Sequence, residues 1–207
     1  MYLYGVFWFF MNDTYHTIEG VATATVTEKR SKFIAFAHPV SSGEEVKEIV
    51  LHYRKEYYDA RHICWAYMLG FERNEFRSND DGEPSGTAGK PILGQINSNG
   101  LTNILIVVIR YFGGVKLGTG GLIVSYKAAA SEVINDAKIV ERTVDEVVVV
   151  HFPYIQLNSV MRIVKEMTPE IINQTFEMEC NMTLCIRKGE AERLKSALAD
   201  VDELQFC

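Results

Sequence analysis

The sequence predicts an α+β protein of two domains, and three observations carry that reading. The run from Leu101 to Phe112 (LTNILIVVIRYF) is almost continuously apolar, as expected of a central strand covered on both faces. From Thr119 to Ala137, small and aliphatic residues (Leu122, Ile123, Ala128, Ala129, Ala130, Val133, Ile134) predict a long helix packed closely on a sheet. After Val140 the pattern becomes β-α-β-β-α-β, which is ferredoxin-like. A length of 207 residues accommodates both parts, at about 100–200 residues per domain. The boundary is placed near Val140, giving domains 11–139 and 140–207.

The elements follow in order. Residues 18–26 (IEGVATATV) read as a strand rich in β-branched residues, and 28–32 as a charged turn. Residues 33–40 return as a second strand. Ser41, Ser42 and Gly43 supply turn and cap residues. Val46, Ile49, Val50, Tyr53 and Tyr57 then give helical spacing over 44–58. Residues 61–69 (RHICWAYML) read as a strand and 71–77 as a short hairpin partner. A helix is expected through 88–96, capped by Ser85 or Thr87. In the second part, strands are expected at 142–152, 170–178, 181–187 and 202–206, with a tight turn at Glu179-Cys180. Helices are expected at 154–167 and 189–199.

Composition narrows the function classes. A hydrophobic fraction of 47% and a charged fraction of 23% are ordinary for a globular chain. Cys64, Cys180, Cys185 and Cys207 form no C-x-x-C pair and no zinc spacing, which suits reduced thiols in a cytoplasmic protein. The opening MYLYGVFWFF is too short to span a bilayer and lacks a basic leader, so residues 1–10 are expected to be an upstream extension. Net charge is −6, unevenly placed: residues 1–140 carry 14 basic and 15 acidic side chains, residues 141–207 carry 7 and 12. Nucleic-acid binding is dominated by phosphate neutralisation, so an RNA-facing surface would have to lie in the first domain.

Ten of the 15 glycines fall between Ser78 and Gly121. The segment reads as an acidic glycine-rich loop, a β run and a second glycine-rich turn. It fails the Walker A test, because Gly82 and Gly89 are seven apart and Pro91 follows Lys90. It also fails G-x-G-x-x-G, because Ile123 stands where the last glycine belongs. Gly118, Gly120 and Gly121 free backbone N–H groups at a helix start, with Lys116 and Arg110 upstream, which suits an anion. The same glycines would equally permit close packing of helix on strand. Asp80, Asp81 and Glu83 could hold Mg²⁺ or act as acid and base, and Ser85 or Thr87 could pair with His62 as nucleophile and base. Plain turn chemistry explains those residues as well. His62 and Cys64 share a strand face, and packing explains them better than metal binding. Tyr111 and Phe112 point to opposite faces, so at most one can stack on a base beside Arg110.

SNDDGEPSGTAGKP followed by VVIRYFGGVKLGTGGL, with ARHICWAY upstream, resembles the IMPACT/YigZ family over residues 18–136. The resemblance implies an N-terminal α/β sandwich with the fold of a small-subunit ribosomal protein's second domain and of domain IV of elongation factor G. It implies a C-terminal domain like domain V of that factor. Eukaryotic members regulate translation by competing for an activator of a stress kinase, and RNA or ribosome association is suggested for bacterial members on fold grounds. Ile123-Val124 departs from the family where a basic residue is expected before Ser125-Tyr126-Lys127, which weakens the RNA case.

The expected function is therefore a cytoplasmic binding protein of translation control, holding RNA or a ribosome-associated partner. Its groove would draw on Arg61, His62, Asp80, Asp81, Glu83, Ser85, Gly86, Thr87, Gly89, Lys90, Arg110, Tyr111, Gly113, Gly114, Lys116, Gly118, Gly120 and Gly121. No catalytic residue, cofactor, metal or membrane partner is assigned. The alternative is a Mg-dependent enzyme acting on a phosphorylated small molecule, or a hydrolase, built on the acidic loop.

Overall fold

A computed structural model describes residues 13–207, so the expectation for residues 1–10 lies outside the described residues. The chain divides into two compact units, Tyr15–Arg142, and Thr143–Cys207 together with Asp13 and Thr14.

The first unit is built on a five-stranded sheet of order β2-β3-β6-β4-β5, with every neighbouring pair antiparallel. Its strands are β2 (Ala22–Glu28), β3 (Ser31–Pro39), β4 (His62–Leu69), β5 (Glu75–Asn79) and β6 (Ile104–Tyr111). The apolar run becomes β6, which lies at the centre and is buried from Ile104 through Arg110. Hydrophobic residues on both sides of a strand demand cover on both sides. One face packs on α1 (Gly43–Glu56) through Val46, Val50 and Tyr53, against Ile63, Tyr67, Leu105, Val107 and Ile109. The other packs on α2 (Gly89–Ser98) and α3 (Gly118–Asp136). Small residues on that face, Ala35, Ala37 and Ala66, let Ile92, Ile96, Tyr126, Ala129 and Ala130 approach.

Several local expectations are corrected. The strand expected at 18–26 is interrupted at Gly20, whose φ is +79°. What precedes the break is β1 (Thr14–Ile18), paired with β7 (Ile139–Thr143) in a separate two-stranded sheet. The charged turn narrows to Lys29-Arg30, with φ of 44° and 66°, because a two-residue loop that matches strand twist needs positive φ at both positions. The strand expected at 142–152 splits into β7 and β8.

The second unit follows the ferredoxin-like order: β8 (Asp145–Pro153), α4 (Leu157–Met167) after a 3₁₀ turn at Tyr154–Gln156, β9 (Glu170–Phe176), β10 (Glu179–Arg187), α5 (Lys188–Ala199) and β11 (Gln205–Phe206). Its sheet runs β11-β8-β10-β9, and one face carries the core, with Val148, Val150, Phe152, Met182 and Leu184 against Val160, Val164, Leu194 and Leu198. The expected turn at Glu179-Cys180 lies two residues earlier, at Glu177-Met178. Asp13 accepts two hydrogen bonds from Arg187, both 2.7 Å, and one from the Gly189 N–H at 3.0 Å, thereby capping α5. All four cysteines are free. Among the described residues no helix is long and apolar enough to cross a membrane.

Candidate functional site

The site begins with a cross-strand row. In the β3–β6–β4 register, Phe33 and His62 both stand opposite Arg110, so all three lie on the face that carries α3. The loop between β5 and α2 folds over this row and is held by its own carboxylates. Asp80 accepts the N–H groups of Gly86, Ala88 and Gly89 at 2.8, 3.0 and 2.8 Å. Asp80 therefore caps α2, in place of the expected Ser85 or Thr87. The Thr87 hydroxyl instead donates to Pro84 O at 2.6 Å, and Ser85 is exposed. Burial opposes the Asp80 charge, but the Gly86, Gly89 and Ala88 amides and the Lys90 ammonium together hold its carboxyl below the usual range. Lys90 is itself exposed. A Cβ at Gly89 would stand 2.7 Å from Asn79 N, so only glycine lets the helix start this close to the strand end.

Asp81 accepts from the Ile63 N–H at 2.7 Å and from Arg54 at 2.5 Å. His62 Nδ1 donates to Asp81 O at 2.8 Å, and its Nε2 lies 3.9 Å from Glu83. Glu83 is buried and ion-paired to Arg110 at 2.5 Å, and the Tyr126 hydroxyl donates to the same oxygen at 3.0 Å. The Cys64 Sγ lies 3.0 Å from Asp80 O, to which its one S–H can donate, and 3.3 Å from the Tyr126 hydroxyl. Burial pushes the Cys64 thiol well above its ordinary range, out of reach of thiolate chemistry. Each of the three loop carboxylates thus has other partners, and among the described residues no cluster of ligating side chains is spaced to hold a metal ion.

Beside this braced loop lies a cavity of about 410 Å³, lined by Arg61, His62, Glu83, Pro84, Arg110, Phe112, Lys116, Leu117, Gly118, Thr119 and Leu122. That volume is at the low end for small-molecule sites. Helix α3 opens at its edge. Gly118 starts the helix with φ +72°, no side chain caps it, and its first turn has no acidic residue. The leading N–H groups of such a helix have no intrahelical acceptor and carry the positive end of its dipole. Arg61 and Lys116 are exposed at the rim. The Arg110 side chain is only 7% exposed, and its Nε–H has no hydrogen-bond partner.

Of the residues singled out by sequence, Arg61, His62, Glu83, Arg110, Lys116 and Gly118 meet at the cavity, with Gly120 and Gly121 in the first turn of α3. Asp80, Asp81, Gly86, Thr87 and Gly89 form the brace behind it. Gly113 serves the fold: a Cβ there would lie 2.0 Å from the Arg30 carbonyl carbon. Gly114, with φ +85°, continues that turn. Tyr111 lies on the α1 face, where its hydroxyl donates to Asp59 at 2.7 Å, and this bond pushes its pKa to about 12. The aromatic at the cavity is Phe112, two residues from Arg110 and 45% exposed. Strand alternation carries the signal, since residues i and i+2 share a face. Pro84, Leu117, Thr119 and Leu122 were not legible in advance.

With this geometry in place, comparison with known proteins is specific. The Impact N-terminal domain model matches residues 29–134. YvyE of Bacillus subtilis, an IMPACT family member, is 39% identical over 132 residues, 64% of this chain and 61% of that protein. YigZ of Escherichia coli K12, also an IMPACT family member, is 32% identical over 183 residues, 86% of this chain and 90% of that one. The crystal structure of a hypothetical protein superposes with a TM-score of 0.74 at 29% identity, covering 94% of this chain and 96% of that one. The glycine-rich loops that frame the cavity lie within the matched domain, and the chain belongs to the IMPACT family.

Proposed function

We propose that this chain is a cytoplasmic protein of translation control that binds RNA or a ribosome-associated partner at the cavity before α3, acting by binding rather than by catalysis. One observation carries the reading. The uncapped start of α3 and the exposed Arg61 and Lys116 border one cavity and together suit an anionic group. Membership of the IMPACT family supports the translation role through the eukaryotic members that regulate it. A likeness of domain 11–139 to domain IV of elongation factor G, and of domain 140–207 to its domain V, is part of the same reading and rests on analogy of fold. The acidic second domain leaves the first to meet the ligand. The enzyme alternative has less support, because Asp80, Asp81 and Glu83 are already engaged.

Co-sedimentation of the full chain with ribosomes tests this. Lys116→Glu and Arg61→Glu should each release the protein into the supernatant, and raised salt should do the same. Pelleting of both variants like the parent chain would count against the proposal.

A further inference from the structure

We infer that the groove between α1 and the edge strand β5 binds an extended peptide segment of a partner protein, which joins the sheet as a further strand. The segment carries a basic, an apolar and an acidic side chain at alternate positions. The groove lies within the first unit and shares no lining residue with the cavity before α3, so the inference stands apart from the reading just given.

Two independent features select a peptide. The first is the strand itself. All five residues of β5 are exposed, and β5 closes the sheet on that side. An edge strand turns every second N–H and C=O away from its neighbour, and an extended chain is the ligand that pairs with such a row. The second is the cavity beside it, about 710 Å³, which gives room for side chains as well as backbone. Trp65 and Tyr67 on β4 supply an aromatic floor, their rings stacked with centroids 6.0 Å apart. On the α1 wall Leu51 is 56% exposed beside buried Val50, so an apolar surface faces the groove with nothing from the first unit on it.

Charge sets the order of the peptide's side chains. Glu75, Arg77 and Asn79 stand opposite Leu69, Tyr67 and Trp65, so all three share the α1 face. One end of the groove is acidic: Glu75 approaches Gly43, next to Glu44, and accepts from the Tyr67 hydroxyl at 3.5 Å. The other end is basic: Arg54 bonds Asp81, whose N–H donates to the Asn79 side chain. Lys47 is paired with Glu44 at 3.6 Å, whereas exposed Arg77 makes no ion pair among the described residues. Glu44 and Arg54 are separated by about 15 Å of helix, and positions i and i+4 of a strand by about 13 Å. The two walls therefore match a basic-x-apolar-x-acidic segment, with its acid between Arg77 and Arg54.

The experiment measures fluorescence anisotropy of a dye-labelled peptide, Thr-Lys-Thr-Ile-Thr-Glu-Thr, titrated with the full chain. Binding should saturate, and Lys116→Glu, at the other cavity, should leave it unchanged. Arg77→Glu and Leu51→Glu, both at exposed positions, should each weaken it about fivefold or more. Exchanging the peptide's glutamate for lysine should weaken binding to the parent chain and restore it to Arg77→Glu. Only one alternate set of peptide amides faces β5, so N-methylation of that set should abolish binding and N-methylation of the other should not. No saturable binding, equal effects of the two N-methylated sets, or no rescue by the exchanged peptide would each overturn the inference. So would self-association of the chain that Leu51→Glu abolishes, because the groove would then belong to a second copy.

Discussion

Arg110 on β6 and Glu83 in the loop before α2 form a buried ion pair at 2.5 Å, with side chains only 7 and 4% exposed. The pair joins the central strand to the glycine-rich loop, and the Tyr126 hydroxyl ties both to α3. Removing one partner of such a pair leaves a buried charge uncompensated, at a cost of about 3–5 kcal/mol. Glu83→Ala is expected to destabilise the chain by that amount in urea unfolding. The Glu83→Leu, Arg110→Met double variant should cost much less than the two single changes combined. Additive losses would show that the two residues act independently.

Two glycines should respond oppositely to alanine. At Gly113 a Cβ would collide with the Arg30 backbone, so Gly113→Ala must move the β2–β3 turn, and a loss of several kcal/mol is expected. Gly94 lies inside α2 with open space around it, and Gly94→Ala should stabilise by about 1 kcal/mol. Thermal melts of the two variants check the contrast.

Asp80 makes the loop sensitive to acid. Its carboxyl titrates below the ordinary value in the folded chain, despite burial, because three backbone amides and Lys90 favour the charged form. Its contribution is therefore present above the unfolded pKa, about 3.9, and is lost as pH falls through the lower folded value. Asp80→Asn keeps one acceptor oxygen but loses the charge and the second acceptor, so it should be about 1 kcal/mol less stable than the parent at pH 7, and the gap should narrow as pH falls below about 4. A gap independent of pH between 3 and 7 would contradict the assignment.

The legible parts of this molecule were those written in local periodicity. β6 was readable because its apolar run has one structural solution, and α3 because its small residues recur at helical spacing. β1 and β7 were not, since each is a short, largely polar strand whose identity depends on a partner more than a hundred residues away. The Asp80 cap was hidden for a similar reason: it acts eight and nine residues ahead across a loop, outside the usual capping distance. Nothing in the order of residues couples Glu83 to Arg110, 27 positions away. The sequence reading places Tyr111 in the groove, whereas strand parity with Arg110 puts Phe112 there, a difference of face rather than of chemistry.

The most direct test of the central claim is an amide chemical-shift titration of the full chain with inorganic phosphate, followed by single-stranded RNA. Binding at the start of α3 predicts that the largest shifts with both probes fall on the N–H groups of Gly118, Thr119, Gly120 and Gly121. Shifts confined to Thr143–Cys207 or to the α1 face, with the α3 amides unmoved, would contradict it.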